Sequence, residues 1–380
     1  MNMKIAFFSN FLNHHQLPFC QELFETPDVD FVFVATEQIP EYRIQMGYRD
    51  MNIEYPFVLR EYENEENRKQ AKQIALTYDV VIFGSAPMHY LDARMGKNLL
   101  TFRFCERSLK KGTWRRFIPR TRKRIYREYT QYKNNNLYIL GASAYTASDL
   151  ALCGFPKEKC FQWGYFPEIK QYDSIEDVIA GKKPNSILWV ARFIKLKHPE
   201  VPLYVAKRLQ KEGYDFQMNL IGSGELEGKI RKFVQNNNLS DRVHLLGVMS
   251  PEDVRKNMEQ SEIFLFTSDR HEGWGAVMNE SMNSACAVVA SRSIGSVPVL
   301  IQHGKNGFIY QNGKKREVFQ YVKNLLDHPS MRREIGKAAF LTLSNVWNAH
   351  YATEQFLKLI KRIKENGPAV CEGPCADCNV

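Results

Sequence analysis

Short apolar runs, rich in β-branched and aromatic residues, alternate with longer amphipathic stretches along most of the chain. Apolar runs of four to six residues bounded by polar turns read as strands covered on both faces. They fall at Ile5–Phe8, Phe31–Val34, Val80–Phe83, Leu99–Phe102 and Leu137–Leu140, then at Ser186–Ala191, Phe216–Ile221, Val243–Leu246, Ile263–Thr267, Ala287–Ala290 and Gly307–Tyr310. Helical patterns fill most intervals, among them Pro199–Lys211, Leu226–Asn236 and Pro251–Glu259. Such alternation predicts the α/β class, with parallel sheets covered by helices.

A polar stretch over 173–185, holding Gly181, Pro184 and Asn185, separates the two groups of strands. It reads as a linker between two doubly wound, Rossmann-like domains, 1–172 and 186–346. The long amphipathic pattern Trp347–Lys364 predicts a terminal helix over 347–366 that crosses back to the first domain. A tail follows over 367–380.

Composition narrows the class. A chain of 380 residues with 44% hydrophobic residues exceeds one ordinary core and suits two domains. No apolar run is long enough to cross a bilayer, and Ile5–Phe8 is too short for a signal-peptide core, so a cytoplasmic location is expected. Cys20, Cys105, Cys153, Cys160 and Cys286 are scattered without framework spacing, which suits a reducing compartment. Cys371, Cys375 and Cys378 crowd the tail, which reads as a disordered segment rather than a zinc site. The net charge of +10 is concentrated, with twelve Lys and Arg against two Glu between Arg103 and Lys133. One basic segment on a near-neutral body predicts a local anionic contact rather than nucleic-acid binding. Its cations are interleaved with Trp114, Phe117, Ile118, Tyr126 and Tyr129, a mixture suited to an anionic membrane surface and hence to the inner face of the membrane.

Candidate chemistry lies in three loops of the second half, each directly after a strand, where open parallel sheets bind ligands. The first, Arg192-Phe-Ile-Lys-Leu-Lys197, offers fixed cations at Arg192 and Lys197 for a departing diphosphate. The second, Ile221-Gly222-Ser223-Gly-Glu225, lets a backbone approach a ligand closely. It lacks the spacing of a Walker loop. The third, His271-Glu-Gly-Trp-Gly-Ala-Val-Met-Asn-Glu280, sets two glutamates eight apart around Gly273 and Gly275. Glu280 on the following helix can accept from ribose hydroxyls, and Glu272 in the loop can hold hydroxyls of a sugar.

These motifs together resemble the family-4 retaining glycosyltransferases, which have the two-domain GT-B fold. The intervening Val243-His-Leu-Leu-Gly-Val248 and the trailing Val288-Val-Ala-Ser and Gly304-Lys-Asn-Gly307 fit the same pattern, and the resemblance is strong over 186–310. It implies two Rossmann-like domains facing across a cleft, with the first on the acceptor side and the second binding a UDP- or GDP-linked sugar. Arg192 and Lys197 would bind the diphosphate, as cations acting in catalysis with Glu272. Glu272 and the Gly273, Trp274, Gly275, Ala276 and Val277 backbone would hold the sugar and phosphate, beside His271, Gly222 and Ser223. Glu280 would take the ribose, and Val248 and Met249 would border the base. The family implies transfer with retention, no metal and no cofactor, to a saccharide or lipid-linked acceptor in cell-surface polysaccharide or glycolipid assembly.

The chain departs from the family in places. Ser281-Met-Asn-Ser-Ala285 replaces the usual small-residue run after the second glutamate. Ser9-Asn-Phe-Leu-Asn-His-His-Gln16 stands where many members have a Gly-rich loop, and Arg103-Phe-Cys-Glu-Arg107 where many have a histidine. The acceptor-side candidates are therefore Asn13, His14, His15, His89 and Glu106. A nucleotide-sugar epimerase or sugar phosphorylase on the same scaffold, and a non-catalytic anion- or membrane-binding protein, are the alternatives.

Overall fold

The computed structural model describes residues 2–45, 49–365 and 372–378. The chain divides into two compact units, 1–168 with 349–380, and 169–348. The first contains β1 (Met3–Ser9), β2 (Val29–Ala35), β3 (Val58–Arg60), β4 (Val80–Phe83), β5 (Thr101–Cys105), β6 (Leu137–Gly141) and β7 (Cys160–Gln162). They form one sheet in the order β3-β2-β1-β4-β5-β6-β7, every pair parallel. The second contains β8 (Ser186–Val190), β9 (Gln217–Ile221), β10 (Val243–Gly247), β11 (Ile263–Phe266), β12 (Ala287–Ser291) and β13 (Phe308–Tyr310). Their order is β10-β9-β8-β11-β12-β13, again all parallel.

The central strands follow from their composition. β4 and β11 are buried at every position, as helix layers on both faces of a parallel sheet require. The two strands absent from the sequence reading, β3 and β7, are three-residue segments at opposite edges of the first sheet. Runs that short carry no readable period. β5 begins at Thr101 and runs through Arg103 to Cys105, later than the expected Leu99–Phe102. A charged residue in mid-strand breaks the apolar pattern that marks a buried strand.

Residues 173–185, read from sequence as a linker, lie inside the second unit and carry the helix Ile175–Ala180, capped by Ser174. Lys182 in this stretch is buried. Its ammonium donates to the carbonyls of Ser284 at 2.7 Å, Ser261 at 2.8 Å, Met258 at 3.1 Å and Glu259 at 3.2 Å. A single cation thus ties together the ends of the helices Pro251–Gln260 and Val277–Asn283, where carbonyls lack intrahelical partners.

The terminal helix Ala349–Glu365 belongs to the first unit. Phe356, fully buried, meets Phe102, Phe19 and Trp163 at ring centroid distances of 5.0, 5.8 and 6.0 Å. The tail corrects the expectation of disorder. Cys375 N–H donates to the Gln162 carbonyl at 2.7 Å and Gln162 N–H to the Ala376 carbonyl at 2.8 Å. Asp377 pairs antiparallel with Phe161 and takes a two-pronged bond from Arg362 at 2.7 and 3.2 Å. The tail thereby covers the exposed edge of β7, whose backbone groups would otherwise lack partners. Cys371 lies outside the described residues. Among the described residues no helix is long and apolar enough to cross a membrane.

Phe356→Ala would open a cavity between the terminal helix and the first sheet. The expected cost is about 3–5 kcal/mol of first-unit stability, read from the denaturation midpoint. A loss under about 1 kcal/mol would show that the terminal helix contributes little to that unit.

Candidate active site

In each sheet the connection direction reverses beside one strand. β1 lies between β2 and β4, and β8 between β9 and β11. Loops leaving the two strands on either side of the reversal diverge, and a crevice opens at their carboxyl ends.

In the second unit the loops after β8 and β11 form the walls of that crevice. The first turns through a 3₁₀ segment, Lys195–Lys197, and leaves through His198 in the left-handed region at φ 51°. Thr267, just past β11, fixes it. Its hydroxyl donates to the Lys197 carbonyl at 2.6 Å and accepts from Trp189 Nε1 at 2.8 Å. Lys197 Nζ then pairs with the Glu272 carboxylate, and the two side chains are only 15% and 17% exposed. Arg192 stands exposed at the start of the same loop. The crevice therefore joins a positive and a negative group.

Asp269 orders the loop that carries Glu272. It accepts from the His271 N–H and imidazole, each at 2.8 Å, and contacts His198 Nε2 at 3.4 Å. Burial pushes the Asp269 carboxyl upward, but the bonds from His271 and His198 outweigh it and hold it below the usual range. His198 is raised, chiefly by its bond to Glu200 at 2.8 Å. Gly275 has φ 79°, and a Cβ there would lie 2.2 Å from the Phe266 ring, so only glycine closes this turn. The helix Val277–Asn283 follows at once, presenting Glu280. Burial raises the Glu280 carboxyl, opposed by Arg255. Arg255 Nη1 also holds the Glu280 carbonyl at 3.2 Å and Asn283 Oδ1 at 2.8 Å.

The remaining candidates of the second unit differ in burial and bonding. The Trp274 side chain is fully buried and donates through Nε1 to Asn279 Oδ1 at 2.9 Å. Only its backbone belongs to the loop. The glycines of the Gly-Ser-Gly turn are required by the close approach of the neighbouring loop. A Cβ on Gly222 would lie 2.0 Å from the Ala191 carbonyl oxygen, and one on Gly224 would lie 2.7 Å from that of Phe193. Ser223 is exposed between them, its carbonyl taking the Phe193 N–H at 2.7 Å. Past β10, Val248 is 76% exposed and Met249 packs its sulfur 3.5 Å from Asn257. Lys182, Thr267 and Asp269 were not singled out from sequence. They bind backbone or loop neighbours, and a single such residue carries no motif.

The first unit brings together two of its five candidates. Asn13 and Glu106 line one cavity of about 740 Å³. Asn13 builds a turn, its Oδ1 accepting from the N–H groups of His15 at 3.0 Å and Gln16 at 3.2 Å. Glu106 accepts from the Tyr165 hydroxyl at 3.0 Å and lies 3.5 Å from Lys110 Nζ. The His14 and His15 rings meet in a tilted arrangement at 3.8 Å, and His15 meets the Tyr165 ring at 5.4 Å. Burial, then the neighbouring His14 and Arg43, push His15 down to about 3. It stays a neutral imidazole at any physiological pH. His89 lies exposed on the helix Met88–Gly96, against Tyr90. Among the described residues no three His, Cys, Asp or Glu side chains converge as metal ligands.

Residues 171–342 match the model of the family Glycosyl transferases group 1. The chain is 25% identical over 247 residues to the amylovoran biosynthesis glycosyltransferase AmsK of Erwinia amylovora, covering 62% of this chain and 59% of that protein. It is 30% identical over 153 residues to the uncharacterized glycosyltransferase MJ1178 of Methanocaldococcus jannaschii, covering 40% and 41%. The matches thus span about half the length of these relatives. The crystal structure of Anabaena Alr3699/HepE in complex with UDP superposes with a TM-score of 0.68 at 13% identity, covering 95% of this chain and all of that one. The likeness shows the fold, the GT-B class of two doubly wound units.

A depressed histidine stabilises the fold above its unfolded value of about 6.5, and that stability drains away as pH falls toward 3. Between pH 6.5 and pH 5 the drain from His15 is about 2 kcal/mol. Comparing denaturation midpoints of wild type and His15→Gln across that range checks it. Parallel pH profiles for the two would show that His15 is protonated normally.

Proposed function

We propose, on the premise that residues 171–342 are a glycosyl transferases group 1 domain, that this protein is a metal-independent, retaining glycosyltransferase. It moves a sugar from a nucleoside diphosphate carrier to a saccharide or lipid-linked acceptor during assembly of a cell-surface polysaccharide or glycolipid. The Lys197–Glu272 pair at the β8/β11 reversal is the observation that carries this reading.

In the transfer, the bond from the sugar's anomeric carbon to the phosphate oxygen breaks. A bond from that carbon to an acceptor hydroxyl oxygen forms, and the hydroxyl proton leaves with the diphosphate. Negative charge grows on the departing diphosphate. Lys197 and Arg192 meet that charge as fixed cations, needing little reorganisation at the moment of reaction. Lys197 already stands beside a carboxylate in a partly buried crevice, so it is oriented before the donor arrives. Glu272 accepts hydroxyls of the transferred sugar, and Glu280 accepts those of the ribose. On this reading the acceptor attacks the same face from which the diphosphate departs, and no side chain serves as nucleophile. UDP in the superposed Anabaena protein supports a uridine carrier, and the Erwinia relative's role in amylovoran biosynthesis supports a polysaccharide product.

Peripheral membrane contact fits the same reading. Trp114, Phe117 and Tyr126 are 60%, 73% and 57% exposed, on or beside the basic helix Pro119–Glu128. Cations flanked by exposed aromatics bind anionic bilayers and release at high salt.

Calorimetry with UDP in the presence of EDTA tests the donor site. Binding without metal is expected, and Glu280→Ala is expected to weaken it about ten- to a hundredfold, the worth of charged hydrogen bonds lost. Lys197→Met is expected to cut kcat by about a hundredfold or more. Turnover of a sugar nucleotide with no acceptor present would replace the transferase reading with an epimerase. For the membrane contact, Trp114→Ser with Phe117→Ser should abolish sedimentation with phosphatidylglycerol vesicles. Undiminished sedimentation would move the contact elsewhere.

A further inference from the structure

The first unit has its own strand-order reversal, and the 740 Å³ cavity sits there. Its wall is built from Ser9 at the end of β1 and Asn10 beyond it, from Gly84 and Ser85 after β4, and from the segment that ends β5. The lining includes seven Lys and Arg side chains and two carboxylates, Glu106 and Glu128. Three of the cations have carboxylate partners: Arg107 with Asp149 at 3.1 Å, Lys110 with Glu106 at 3.5 Å and Arg124 with Glu128 at 3.1 Å. Arg103, Lys111 and Arg115 make no ion pair among the described residues.

Arg103 gives the cavity its direction. It lies within β5 and is only 9% exposed. Its guanidinium lies over the Tyr129 ring at 5.2 Å and reaches the Met88 sulfur at 3.5 Å. Its Nε is buried without a hydrogen-bond partner. Guanidinium groups keep their charge when buried, and a buried charge without a counter-charge is costly. A strand residue that could have been aliphatic instead carries a cation into a cavity with no carboxylate in ion-pair reach. Against the cost of burial, Tyr129 and Glu128 favour its charged form, but Glu128 is itself paired with Arg124.

We propose that this cavity holds the phosphate or diphosphate ester of an anionic acceptor, with Arg103 as its buried anchor and Lys111 and Arg115 at the rim. The inference rests on the transferase reading and names the acceptor class for it. The fork of a guanidinium matches phosphate oxygens. The volume exceeds one phosphate and admits a sugar beside it. That sugar then meets Glu106, whose carboxylate is already oriented by Tyr165 and Lys110. An uncharged saccharide would leave Arg103 unpaired and gain nothing from the surplus cations.

The test uses the full chain with UDP at saturation, so that the Arg192–Lys197 region is occupied, and titrates inorganic pyrophosphate by calorimetry. Pyrophosphate is expected to bind, and Arg103→Gln to weaken it about ten- to a hundredfold, with Arg103→Lys recovering part of the loss and UDP affinity unchanged in both. If Arg103→Gln does not fold, Lys111→Gln with Arg115→Gln reports the same loss from the rim. Geranyl diphosphate distinguishes the source of the ester. Binding tenfold tighter than pyrophosphate supports a lipid carrier, and equal binding supports a soluble phosphate ester. With UDP bound, absent pyrophosphate binding, or binding unchanged in every variant, overturns the cavity assignment alone. Sedimentation with phosphatidylglycerol vesicles in that case would make the basic segment a surface contact. Failure of UDP itself to bind overturns the transferase reading, and the acceptor assignment with it.

Discussion

The placement of both candidate sites in this protein depends on one constraint of parallel sheets. A strand whose two neighbours are reached by crossovers in opposite directions leaves a crevice at its carboxyl end. The chain builds that constraint twice, at β1/β4 and at β8/β11. All other requirements of the fold close the sheet faces with helices, so these two ends are where loops diverge and side chains gather. The two crevices then differ only in which residues the loops carry.

The second crevice is a balanced site. Lys197 and Glu272 satisfy one another, so neither charge is left buried without a partner. Its support is layered. Trp189 holds Thr267, Thr267 holds the Lys197 backbone, and Asp269 holds the loop from the other side. Lys182 and Arg255 pin the helix that carries Glu280 at its far end. Four elements distant in sequence therefore fix the carboxylates and the ammonium with little freedom left to lose on binding.

The first crevice is unbalanced. Its cations outnumber its carboxylates, and the most deeply buried of them lacks an ion-pair partner. Sequence reading treated the basic segment 103–133 as one feature with one purpose. The structure divides it. Arg103 is a strand residue facing a cavity, whereas Trp114, Phe117 and Tyr126 are outward-facing. Charge count alone cannot separate these roles, because burial depends on where β5 runs.

Hydrophobic period and turn chemistry sufficed to read the α/β class and eleven of the thirteen strands, because buried parallel strands are apolar along their whole length. The motifs around Arg192, Lys197, Glu272 and Glu280 were legible for a related reason: each sits at a fixed offset from such a strand. Local pattern could not reach contacts made between distant segments. It missed β3 and β7, which exist only because a neighbouring strand offers hydrogen bonds. It read residues 372–378 as disordered, although the edge of β7 and the Arg362–Asp377 pair order them. It could not show that the carbonyls of Ala191 and Phe193 crowd the glycines at 222 and 224 and so require them. The sequence by itself determined which segments become the buried strands and which candidate loops follow them, since both follow from residues a few positions apart. Only the tertiary structure decided which cations are paired, which are buried and which face a cavity, since those properties belong to neighbours brought together by folding.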